Sequence, residues 1–161
     1  MTNRVTQLLT AYGPDPAYQK ELDLYGRFVG TWQVANRIYD EVSGAWRQNT
    51  REWAFGWVLN GLGIQDVLRS DDGGIGTTIR VYDPDLGAWR VHWFGASARY
   101  FGTQIGRPHG DGIRQEGTRH DGRVIRWEFS EITDARFLWR GYLADEPDGA
   151  WHLVQEMRAT R

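Results

Sequence analysis

From Thr31 almost to the end of this chain, apolar and polar residues alternate. In the first thirty residues they instead recur at helical spacing. Val5, Leu8, Leu9 and Tyr12 predict one short helix. The stretch "GPDP" breaks it, and Asp15 followed by Pro16 reads as the cap and first turn of a second helix. Tyr18, Leu22, Tyr25 and the Phe28–Val29 pair form one apolar stripe along it, and Gly26 and Gly30 mark its end.

The alternating region predicts about ten strands. Turn clusters such as "DEVSGA", "SDDGG", "DPDLGA", "RPHGDG", "HDG" and "DEPDGA" punctuate it, and the gaps suit hairpins rather than helical crossovers. Residue parity then separates an oily face from a charged one. Trp32, Val34 and Ile38 share a face with Asn36. Trp53, Phe55, Trp57 and Leu59 share the next, followed by Trp89, Val91 and Trp93. Phe101, Thr103 and Ile105 follow, then Ile113 with Gln115, and then Ile125, Trp127 and Phe129. Phe137 pairs with Trp139, and Trp151, Leu153, Gln155 and Met157 close the series. The opposite parity carries Arg90, His92, Arg114, Arg126, Glu128, Arg140, His152, Glu156 and Arg158. A flat sheet of this kind would leave its oily face wet, whereas closure hides that face and removes both edges. The expectation is an all-β, single-domain chain over residues 1–161. It would form a closed antiparallel up-and-down barrel of about ten strands, with one or two short N-terminal helices in residues 1–29 flanking or capping it. Gly30 permits the tight bend from helix to first strand, and Trp32 is placed to plug the barrel end.

Composition sharpens this picture. Nine Trp among 161 residues is a heavy load, because each ring needs roughly 150–250 Å² of cover. That load implies a large core or an aromatic-lined cavity. Ten strands enclose more room than side chains usually fill, while eight can be packed solid. A net charge of −2 with no basic run argues against a nucleic-acid partner. No apolar stretch is long enough for a membrane helix, and "MTNRVTQLLT" lacks a signal-peptide core. The absence of cysteine excludes disulfides and thiolate chemistry and fits a cytoplasmic protein. Lys20 is the single lysine, so almost all basic charge is arginine, which stacks well on indole faces.

Several segments taken in order, "EWAFGWVLNG", "GIQDV", "TTIRVYDP", "GAWRVHWF", "RWEFSEI" and "FLWRG", together with the Gly-x-Trp opening at Gly30–Trp32, resemble a bacterial, uncharacterised family of lipocalin-like (calycin) barrel domains. That family is distantly similar to nitrobindin. The resemblance spans roughly residues 28 to 158 and implies a closed antiparallel barrel with an internal cavity. It implies no catalytic residues. It departs from the family pattern at Asn60, Gly61 and Leu62, where relatives often carry Glu-Gly-Arg.

The leading expectation is a barrel that binds a small, mostly apolar or aromatic molecule without any cofactor. Trp53, Phe55, Trp57, Trp93, Trp127 and Trp139 would supply the walls, and Gln65, Gln115 and Gln155 would orient the ligand. The two latter amides can equally well bond one another or water. Arg80 in "TTIRVYDP" would anchor a carboxylate if it pointed inward, but Ile79 and Val81 oppose it, and the apolar pattern favours Arg80 outward. Asp66 alternates with Ile64 and Leu68, with a rival register that puts Gln65 and Val67 inside. Asp66 and Glu131 are the catalytic residues of an alternative, a cofactor-independent isomerase, cyclase or hydratase acting on an enclosed apolar substrate. A structural or solvated role suits both carboxylates better. A third reading is a homodimer packed through its barrel staves. His92 and His152 lie on the charged parity. His109 and His120, with Asp111 and Asp121, fall in turns and match no compact metal-ligand spacing, so no metal is expected.

Overall fold

The computed structural model describes Met1–Arg161. Ten strands follow the helical segment: β1 Gly30–Asp40, β2 Ala45–Val58, β3 Gly63–Ser70, β4 Ile75–Asp83, β5 Ala88–Gly95, β6 Tyr100–His109, β7 Gly112–Arg119, β8 Val124–Ser130, β9 Arg136–Ala144 and β10 His152–Thr160. Each pairs antiparallel with its sequence neighbour, and β1 pairs with β10 to close the barrel. Closure follows from the alternation, since the inward positions of first and last strands, Val34 and Ala159, meet as partners and are both buried.

The two N-terminal helices behave differently. Helix α1 (Arg4–Leu9) buries no residue, and the stripe expected of it has nothing beneath it: Val5 and Leu8 are exposed. The chain is instead tied down just beyond, where the Ala11 N–H donates to the Trp57 carbonyl at 2.9 Å. Asp15 Oδ1 accepts from the Ala17 N–H at 2.8 Å and caps a short 3₁₀ turn, Pro16–Tyr18, that runs into α2 (Gln19–Gly26). Here the apolar stripe is used. Leu22, Tyr25 and the following Phe28 are fully buried and seal one end of the barrel. Gly30, at φ +128°, then bends the chain into β1. Two residues on, Trp32 is fully buried, donates its indole N–H to the Phe28 carbonyl at 2.8 Å, and lies beneath the Arg161 guanidinium. Phe28 packs on Phe129 and Phe137 with ring centroids 5.0 and 4.7 Å apart, so this half of the interior is a solid aromatic plug.

Parity holds on β2, β5, β8 and β9, and fails on three other strands. On β6 the inward residues are Gly102, Gln104 and Gly106, and Phe101 is exposed. The reason is room: a Cβ at Gly106 would collide with the Tyr25 hydroxyl, so the stave facing α2 must be small inside. On β4 Arg80 points inward and is completely buried, contrary to the outward orientation that its apolar neighbours favoured. Its charge is met by Asp66 on β3, a partner that a single-strand pattern cannot reveal. On β10 a bulge between Leu153 and Gln155 shifts the register. Leu153 stands opposite Tyr142, and Trp151 lies outside, under the Arg126 guanidinium at 4.3 Å.

The plug and the buried ion pair are mechanically linked, which yields a stability expectation. Arg80→Met strands the Asp66 carboxylate in the interior and should cost about 3–5 kcal/mol, read as a loss in urea-unfolding free energy. Adding Asp66→Leu to the same protein should restore most of that loss, because the pair is then replaced by apolar packing.

Candidate functional site

The floor of the site is a polar network set in the aromatic plug. Asp66 Oδ2 accepts from Arg80 Nη1 at 2.6 Å, and its Oδ1 accepts from the Thr78 N–H at 2.9 Å. Arg80 Nε donates to Gln115 Oε1 at 3.1 Å, and that same oxygen accepts from the Tyr25 hydroxyl at 2.8 Å. Gln115 Nε2 donates to Gln104 Oε1 at 2.9 Å, and Gln104 Nε2 returns a bond to the Gln115 carbonyl at 3.3 Å. The Arg80 guanidinium also sits 5.1 Å from the Tyr25 ring and 5.6 Å from that of Phe129. Burial pushes the Tyr25 hydroxyl well above its ordinary pKa, so it remains a donor at every physiological pH. Arg80 Nη2 is the one guanidinium nitrogen of this residue with no hydrogen bond.

Above the floor lies a cavity of about 180 Å³. Trp53, Trp93, Trp127 and Trp139 wall it, Arg80 and Thr78 reach its base, and Val154 and Gln155 stand near its mouth. The cavity exists because indoles lie along the wall rather than across the lumen. A Cβ at Gly76 would fall within the Trp93 ring, and one at Gly141 would lie 2.7 Å from Trp139 Cη2. Both glycines are therefore what lets a neighbouring indole flatten against the sheet. The Trp127 and Trp139 rings meet edge to face at 5.3 Å.

Two of these walls are chemically incomplete. Trp53 and Trp139 are only 3% and 4% exposed, and neither indole N–H has an acceptor. Every other buried side-chain nitrogen or oxygen in the protein is satisfied. Arg51, one inward position before Trp53 on β2, adds an unpaired cation to the wall. Its nearest bond is a long one, Nε to Asn49 Oδ1 at 3.4 Å, and no carboxylate lies within ion-pair distance. Burial lowers its pKa, with Asp72 and Asp71 only partly offsetting that effect.

The mouth is latched by charge. Glu41, in the turn between β1 and β2, crosses the opening to Arg119 at 2.9 Å and Arg123 at 2.6 Å on the far side. Arg119 also holds Asp121 at 2.5 Å and lies over the Tyr100 ring at 5.1 Å. Burial works against the Arg119 charge, but hydrogen bonds to Asp121 and Glu41 outweigh it and hold the guanidinium above its ordinary value. Burial likewise pushes the Tyr100 hydroxyl up to about 12.

Of the residues singled out from sequence, Trp53, Trp93, Trp127, Trp139 and Gln155 line this cavity. Gln155 is engaged, donating to Asn36 Oδ1 at 2.9 Å. Phe55, Trp57 and Gln115 do not line it. Phe55 and Gln115 belong to the packed floor, and Trp57 packs against Gly26 of α2. Gln65 faces outward and donates to Thr77 Oγ1 at 3.0 Å, because Asp66 takes the inward parity of β3. Glu131 is exposed in the turn after β8 at φ +51°, away from the cavity. Asp66 is inside but fully occupied by Arg80 and Thr78. His109 and His120 are exposed, His120 accepting the Phe101 N–H, and no group of three metal-ligating side chains forms anywhere. Sequence reasoning passed over Arg51 and Arg119, although both continue an inward parity already assigned, from Trp53 backward and from Gln115 forward.

The latch gives a pH expectation. Hydrogen bonds from Arg119 hold the Asp121 carboxyl below its ordinary range. A depressed folded pKa stabilises above the unfolded value of about 3.9 and loses that contribution as pH falls through the folded value. The latch should therefore be closed at neutral pH and released only in acid. Glu41→Gln should open it at neutral pH: amide exchange at Gly44 and its neighbours should accelerate, while global stability changes by less than about 1 kcal/mol. No protein-family model matches this chain and no curated protein matches it, so the site is read from its own geometry.

Proposed function

We propose that this barrel binds a small aromatic molecule in its indole-walled cavity, without a cofactor. The observation that carries the reading is the division of the interior: a closed, fully bonded floor beneath about 180 Å³ of space bounded by four tryptophans. An engineered apolar cavity of about 150 Å³ is enough to take up benzene, so the volume here suits one aromatic ring with a small substituent. Flat indole walls favour flat ligands, through edge-to-face and offset contacts. The lipocalin-like resemblance of residues 28 to 158 is in keeping with this reading. Proton-transfer catalysis finds less support, since Asp66 is committed to Arg80 and Glu131 stands apart.

The test uses fluorobenzene as probe and ¹⁹F NMR as readout. Its resonance should broaden and shift with added protein. Val154 is half-buried on the cavity wall, so Val154→Trp should plug the space without removing a core contact and weaken binding more than about tenfold, with an unchanged melting temperature. A probe that ignores the wild-type protein would defeat the reading.

A further inference from the structure

We propose that the cavity is built for a one-ring aromatic carboxylate, whose carboxylate is received by the unpartnered indole N–H groups of Trp53 and Trp139 and neutralised by Arg51 and the free Nη2 of Arg80. The inference rests on the ring-binding reading above and adds the chemistry of the ligand's head group.

Three independent features converge on it. The first is the pair of orphaned donors. Trp53 and Trp139 come from β2 and β9, their rings lie 6.4 Å apart, and both line the same cavity. A buried donor left without an acceptor is costly and rare in folded proteins. Two in one wall, in a protein that satisfies every other buried side-chain polar atom, mark a place where an acceptor from outside the chain belongs. The second is charge. Arg119 is answered by Glu41 and Asp121, and the Arg80 charge by Asp66. Arg51 alone has no carboxylate partner, although it is partly buried beside Trp53. An uncompensated cation on a cavity wall is stabilised by an anion. The third is the character of the donors. Indole N–H and guanidinium groups only donate, so these positions select an acceptor-only head group. A carboxylate has two oxygens and about four lone-pair sites, enough to engage more than one of these donors at once. A neutral hydroxyl would bring a donor of its own that finds no use there. The lumen leaves room for a single ring beside that group.

The test compares 4-fluorobenzoate with fluorobenzene at pH 7, both followed by ¹⁹F NMR, against wild type, Trp53→Phe, Trp139→Phe and Arg51→Gln. Each Trp→Phe change keeps an aromatic wall and removes only the N–H and part of the ring. The carboxylate should bind at least about tenfold more tightly than fluorobenzene to wild type. Each variant should shrink that ratio by about threefold or more, with fluorobenzene affinity changed much less. In ¹⁵N–¹H spectra of the wild type, the two indole resonances lost in the Trp→Phe variants should be the ones that move most on adding 4-fluorobenzoate. If fluorobenzene binds as tightly as its carboxylate, or if the ratio survives all three substitutions, the head-group inference is wrong while ring binding stands. If neither probe binds wild type, ring binding fails and the inference falls with it.

Discussion

The Asp66–Arg80 pair divides this barrel in two. Both side chains are fully buried, and taking both charges out of water is expensive. Their mutual attraction offsets that expense only because every neighbouring group contributes. Thr78 supplies a backbone N–H to Asp66, Gln115 accepts from the Arg80 Nε, and Tyr25 and Phe129 offer ring faces to the guanidinium. The pair joins β3 to β4 directly, and through Gln115 it reaches β7 and helix α2. A one-residue slip of β3 against β4 would send Asp66 to the outer face and leave Arg80 buried alone, so register on these strands is held by charge as well as by apolar pattern. Below the pair the interior is solid; above it the walls stand apart.

That arrangement explains which parts of the protein could be read in advance. Alternation of apolar and polar residues carries the strand count, the antiparallel order and the need for closure, because each depends on one strand at a time. The indoles of β2, β5, β8 and β9 were legible for the same reason. Arg80 was not, since Ile79 and Val81 made the outward choice look better, and its compensation sits on another strand. The inner face of β6 was hidden by a similar logic: Phe101 and Ile105 look like core residues, but the space inside is taken by Tyr25 of α2, so Gly106 and Gln104 go in. The bulge on β10 turned Trp151 and Leu153 out of phase, and nothing in local composition announces a bulge. Within the site, the tryptophans were visible and the arginines were missed, because inward parity was followed only while it stayed apolar.

The two ends of the barrel are closed by different physics. At one end α2, Phe28 and Trp32 bury a large aromatic area, and the tail residue Arg161 binds the carbonyls of Val29 and Asp134 over the Trp32 ring. Such a seal opens only with substantial unfolding. At the other end Glu41, Arg119, Asp121 and Arg123 meet as partly exposed ion pairs, which are individually weak and screened by salt. Exchange with solvent therefore belongs to the latched end, and a molecule entering there meets Arg51 near the mouth before it reaches Arg80 at the base.

The contrast between floor and wall carries the functional argument furthest. Where the chain has to stabilise itself, it leaves nothing open: Gln104, Gln115, Tyr25, Arg80 and Asp66 bond one another with almost no capacity to spare. A fold able to assemble that network would have had little difficulty furnishing an acceptor for the Trp53 or Trp139 N–H, or a carboxylate for Arg51. Phenylalanine at either tryptophan would have walled the same space without a donor to satisfy. The unmet groups are also not scattered; they share one cavity, beside the single free nitrogen of Arg80. Packing error would distribute such defects through the core, whereas selection for an acceptor-bearing ligand concentrates them where that ligand sits.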